Sequence, residues 1–219
     1  SKFSWVFSIY LLAQTVTIPL YGKFTDIFGR KKILIFGIIL FLIGSATCAT
    51  AWNIGSLIAF RGLQGLGAGS IMATVNTIAG DIYTLEERGK VQGYLSSIWG
   101  ISAIVGPALG GALAEYAHWR WIFLINIPIG ALSIYLLLRF FKENKQTVIP
   151  SIDYKGALLI MATLGLFFVF ILEGGQSWSW TSVNSIALLA IVVVLALMTY
   201  KTERKSQNAI MPAWLWRNR

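Results

Sequence analysis

The sequence predicts an all-α polytopic membrane protein, and three observations carry that prediction. Of its 219 residues, 56% are hydrophobic and only 12% are charged, about half the charge of a soluble domain. Mean hydropathy is +0.69, and several apolar runs reach the roughly 20 residues that cross a bilayer core. The cations, finally, alternate between the sides those runs define.

Seven spans are expected, at about 3–21, 33–50, 55–80, 90–115, 119–141, 154–173 and 183–200. Each should be helical, because lipid offers no hydrogen-bond partners to an open backbone. The first two flank a short basic loop, GKFTDIFGRKK (Gly22–Lys32), which no lipid-buried segment could hold. Of the 18 Lys and Arg, Lys2 and Arg120 fall on the opposite side and Arg61 inside the third span; the rest share this loop's side. The basic side is therefore cytoplasmic. Trp52, Trp119, Trp121, Trp178 and Trp180 fall on the outer side, as an interfacial belt would. The net charge of +9 reflects this topology and calls for no nucleic-acid partner. Cys48 and His118 are each alone, which leaves neither a disulfide framework nor a metal site.

Four groups of residues stand out. In the first loop, Asp26 and Arg30 are spaced to pair on a helical turn, and Gly22 and Gly29 suit a tight turn or close helix approach. Arg61 lies about two turns inside its span, where an ionisable group implies function. At about 100° per residue, Arg61, Gln64, Ala68, Met72 and Asn76 share one stripe, and Gly65, Gly69 and Ala73 a neighbouring one. The polar stripe could line a cavity, the small one could pack on another helix, and snorkelling of Arg61 to the outer surface is the alternative. In the fourth span, WGISAIVGPALGG sets Pro107 between Gly106 and Gly110-Gly111, a bent and smooth surface for a partner helix. Asp81, at the inner end of the third span, could reach Arg30 across the inner face.

A weak internal repeat relates the segment Pro19–Asp26 to the segment Pro107–Glu115. The first exits inside and the second outside, which is an inverted-topology relation. The second unit contributes three spans and the first only two, so a helix before Ser1 is expected to be missing.

Together these residues resemble the major facilitator superfamily. GKFTDIFGRKK looks like its loop between helices 2 and 3, RGLQGLGAG (Arg61–Gly69) its helix-4 motif, and GISAIVGPALGG (Gly100–Gly111) its helix-5 antiporter motif. HWRWIFLINIPIG (His118–Gly130), the stretch from Asp153 to Gly156 and the closing MPAWLWRNR are similar to its fourteen-helix drug:proton antiporters. The resemblance implies a partial major facilitator-type bundle at 1–145, two linker helices at 146–205, and a connection at 206–219 to an absent C-terminal half. It implies that Gly22, Asp26, Gly29, Arg30 and Asp81 control the inner gate. It further implies that Arg61, with Gln64, couples protons, and that Gly100, Gly106, Pro107, Gly110 and Gly111 seal the antiport interface.

The expected function is proton-coupled multidrug efflux by alternating access in a multi-pass bacterial plasma-membrane protein. Small amphipathic substrates, protons and the bilayer are its partners, and the proton gradient replaces any cofactor. The Gly-rich segments lack a Walker lysine pattern and no soluble catalytic domain is present, so no enzyme is expected. Two other readings remain: an exporter of a single metabolite or antibiotic, and a membrane scaffold or sensor that moves nothing. Substrate-binding residues are not assigned.

Overall fold

The break between the first two helices is a single residue. In the computed structural model, which describes residues 2–143, 153–175 and 177–205, α1 (Lys2–Phe28) runs straight into α2 (Arg30–Ala49). Gly29 alone turns the chain, at φ +90°, where a side chain would be strained. The expected loop of 22–32 is therefore helical apart from Gly29. Gly22 lies within α1, and a methyl group added there would meet nothing, so close approach is not its role.

The other elements are α3 (Ile54–Ile82), α4 (Leu85–Tyr116), the short α5 (Trp121–Leu124), α6 (Asn126–Phe140), α7 (Tyr154–Glu173) and α8 (Val183–Lys205). Their starts carry local capping chemistry. Asn53 and Ser56 form a reciprocal capping box before α3, Thr84 and Glu87 another before α4, and the Asp153 side chain accepts from Gly156 N (2.9 Å) at α7. The span expected at 119–141 is interrupted at Ile125. Pro128 has no N–H to offer the carbonyl four residues back, at Leu124, and this weakens the helix there.

Six segments are long and apolar enough to cross a membrane, α5 and α6 counting as one. The remaining long helix, α3, carries Arg61, Gln64, Asn76 and several glycines, which lower its hydropathy. It is nonetheless the helix around which the others gather: α1 and α2 both pack along it, α6 lies on α2, and α7 lies on α1 and α8.

Glycine sets those close approaches. A methyl on Gly65 would lie 2.5 Å from Tyr10 O of α1, and one on Gly69 would strike Thr17 of the same helix. On the α2 side, a methyl on Gly44 would lie 2.5 Å from Gln64 Cα, and Gly37 and Gly67 face each other's helices similarly. Tyr21, Ile33 and Ala73 close the core of this three-helix unit. Its buried hydroxyls are satisfied within it, Ser70 donating to Ile33 O (2.9 Å) and Thr17 to Ala13 O (2.7 Å). α4, by contrast, buries no residue and touches the rest mainly through α5.

Candidate functional site

Two polar clusters sit on α3 (Ile54–Ile82), one at its C-terminal end and one in its N-terminal half. At the C-terminal end, α1, α2, α3 and the end of α6 converge. Arg30 forms an ion pair with Asp81 through Nε and Oδ2. The carboxylate of Glu143 lies under the first turn of α2, accepting from the Arg30 and Lys31 backbone amides, the latter at 3.2 Å. A helix N-terminus offers unsatisfied N–H groups and a partial positive charge, and an anion satisfies both. Gly29 is needed here twice, because a methyl on it would also lie 2.9 Å from Glu143 Oε2. Lys31 does the complementary thing for α6, donating from Nζ to Phe141 O (2.6 Å) and Leu138 O (3.3 Å) at that helix's C-terminus. Asp26 stands half-buried in the last turn of α1.

At the other end, Arg120 reaches Ala51 O (3.5 Å) and lies over the Trp119 ring. Trp5 donates to Glu173 Oε1 (2.5 Å), joining the start of α1 to the end of α7.

The second cluster is built on Arg61, about 10 Å into α3 at 1.5 Å per residue. Its Nε donates to Val6 O (3.1 Å) and its Nη1 to Gln64 Oε1 (2.7 Å), with the guanidinium 4.1 Å from the centre of the Tyr10 ring. It is turned inward onto α1, satisfied by protein groups and an aromatic face. Gln64 is 2% exposed. Its Nε2 donates to Ser45 Oγ of α2 (2.6 Å), which also accepts from Asn126 Nδ2 of α6 (3.1 Å). Among the described residues, no carboxylate forms an ion pair with Arg61.

The predicted stripe does not line one cavity. Gln64 and Ala68 are buried in helix packing. Only Met72 and Asn76 open onto a groove of about 360 Å³, whose other wall is Gln92, Leu95, Ser96 and Trp99 of α4. The expected small-residue stripe is real, with Gly65 and Gly69 against α1. Gly100, Gly106, Pro107, Gly110 and Gly111 all lie within unbroken α4, and an added methyl at any of the four glycines meets nothing within 4 Å. Among the described residues this face has no packing partner.

Sequence reasoning missed Glu143, Ser45, Asn126 and Tyr10. Glu143 follows Arg139 and Lys142 in what reads as a cationic loop, and nothing local ties it to a site more than a hundred residues away. Asn126 did leave a signal, as an amide inside an apolar run.

Residues 1–200 match the sequence profile of the Major Facilitator Superfamily. The chain belongs to that superfamily. This Major Facilitator Superfamily chain is 37% identical over 219 residues to "Multidrug resistance protein 3" of Bacillus subtilis, covering all of itself and 43% of that protein. It is 32% identical to "Multidrug transporter protein MdtP" of the same bacterium, over all of itself and 40% of that protein. To the fungal "Efflux pump dotC" of Dothistroma septosporum it is 36% identical over 225 residues, covering 39% of that protein. The superfamily member described here thus spans about two fifths of the length of these relatives. Family and helices together make it a multi-pass membrane protein.

Proposed function

We propose that this chain forms the N-terminal bundle and linker helices of an exporter that moves several small amphipathic drugs out across the plasma membrane. Inward proton flow drives that export by alternating access, with no cofactor. Residues 1–145 form the bundle, 146–205 supply the linker helices, and 206–219, outside the described residues, lead to the second half. The names of the bacterial and fungal relatives, which align with the whole chain, support drug efflux.

The single observation that carries the coupling is Arg61. It is an intramembrane cation turned into the bundle and held by neutral acceptors. A fixed positive charge without a paired acid lowers the pKa of any carboxylate brought beside it. Such a carboxylate releases its proton on approach and, in a low-dielectric setting, takes one up on leaving. For a neutral substrate each proton crossing 100 mV supplies roughly 2.3 kcal/mol, enough at about 1.4 kcal/mol per decade for roughly fifty-fold accumulation; for a monovalent cation exchanged one for one the charges cancel, and the pH gradient supplies the work.

The test is efflux of several unrelated cationic dyes by the intact protein in everted vesicles, with and without a pH gradient. Transport of many dyes that collapses with the gradient, and with Arg61→Ala, is expected. Transport of one compound only would make it a dedicated exporter. Unchanged drug tolerance in Arg61→Ala would leave the fold as scaffold or sensor.

A further inference from the structure

We propose that Ser45 and Asn126 are positioning residues for Arg61, acting through the Gln64 amide; this rests on the coupling role proposed above for Arg61. A glutamine amide has a donor end and an acceptor end, and its neighbours decide which way it faces. Ser45 Oγ, fully buried, lies 2.6 Å from Gln64 Nε2. Arg61 Nη1, which can only donate, faces Oε1 at 2.7 Å, and the Ser45 contact anchors the other end of the amide. Asn126 donates to the same hydroxyl oxygen at 3.1 Å, so Ser45 Oγ receives from α3 on one side and from α6 on the other. Gly44, the preceding residue, has no side chain to keep α2 from Gln64, and that is what brings Ser45 within reach.

The result is a relay of fixed orientation from α6 through α2 to α3. Four polar groups on three helices leave the amide of Gln64 one satisfied orientation. Reversing it would set its NH₂ against the guanidinium donors, so Arg61 fixes the direction of the amide, while Ser45, held by Asn126, fixes its position. Buried polar groups have partners because leaving one unmet is costly, so the relay is rigid. Arg61 Nε is fixed separately by Val6 O of α1. Together the two hold the planar fork in place, which a rotatable ammonium would not achieve.

The experiment is a double-mutant cycle on proton-driven efflux in the intact transporter, reconstituted with a cationic dye and scored per molecule of inserted protein. Ser45→Ala should lower the maximal rate about tenfold, the scale of one buried hydrogen bond lost, and Asn126→Leu should do so several-fold. The dye concentration for half-maximal rate should move less than about twofold in both. Adding either change to Gln64→Ala should cost nothing further, since both act through that amide. Losses that simply add to that of Gln64→Ala, or a half-maximal concentration that rises in step with the rate loss, would overturn the proposal. So would full activity in both single variants. If Arg61→Ala kept gradient-driven transport, the coupling role itself would fall, whatever Ser45 and Asn126 do.

Discussion

Adding one methyl group at Gly44 should damage this protein more than adding one at any glycine of α4, although both stretches read alike as small residues in apolar helices. The methyl of Gly44→Ala would sit 2.5 Å from Gln64 Cα, 2.6 Å from its N and 2.8 Å from its Cβ. Comfortable carbon–carbon contact needs about 3.5–4.0 Å, and the atoms in the way are backbone, which cannot rotate aside. The α2–α3 spacing must open by about 1 Å, an overpacking that costs about 1–3 kcal/mol. The same movement would lengthen the 2.6 Å Gln64–Ser45 bond to about 3.6 Å, beyond hydrogen-bond range, for another ~1 kcal/mol. Alanine's better helix propensity returns about 1 kcal/mol. The net is a loss of about 1–3 kcal/mol. At Gly106 or Gly110, where an added methyl meets nothing, only the propensity gain is left. Unfolding of the intact protein in mixed micelles, titrated with denaturing detergent, gives both numbers. If Gly44→Ala proved as stable as Gly106→Ala, the close α2–α3 approach described here would be wrong.

Three other perturbations separate the roles of the two clusters. Asp81→Asn breaks a partly exposed pair and should cost less than about 1 kcal/mol of stability, while transport falls several-fold; exchanging the two charges, Arg30→Asp with Asp81→Arg, should recover much of that transport. Glu143→Ala strips the carboxylate from the first turn of α2, and hydrogen exchange at the Lys31 amide should quicken about fivefold, the equivalent of a ~1 kcal/mol cap; an unchanged rate would refute the capping assignment. Arg61→Lys keeps the charge but cannot reach Val6 O and Gln64 together, so gradient-driven efflux should fall nearly as far as in Arg61→Ala; near-normal efflux would mean that charge alone suffices.

Most of the architecture could be read from sequence because lipid leaves a chain few options. Apolar runs of the right length must be helices, and the cations then fix the sides. The span expected at 154–173 coincides with α7, and Arg30 does meet Asp81. What could not be read was where one helix stops and another resumes. Residues 22–28 look like the start of a loop because Lys23 and Asp26 are charged, yet the segment is helical, and only Gly29, at positive φ, breaks the helix. Nor could long-range polar partners be read. Glu143 caps a helix that begins 113 residues earlier, and Asn126 reaches Ser45 across 81. Periodicity sees one helix at a time, so it found the glycines of α3 but not the Gly37 and Gly44 that answer them from α2.

The position of the Arg30–Asp81 pair bears on how a gate at this end can work. Both residues lie on helices held together by the glycine contacts of Gly37, Gly44 and Gly67. Those helices cannot part without losing packing far larger in scale than a partly exposed ion pair. On this packing the pair is not expected to open and close as a latch between α2 and α3. Its effect is to fix the shape and charge of one inner face, with Glu143 and Lys31 fastening α6 to the same face. Arg61 and Asp81 are 20 residues apart on one helix, about 30 Å at 1.5 Å per residue. A tilt of α3 provoked at Arg61 would accordingly reach the inner face as motion of a whole rigid unit, and loosening of the α2–α3 contact would blunt it. Gly44→Ala should on this argument weaken the dependence of transport on the proton gradient as well as stability, even though it touches neither charged residue.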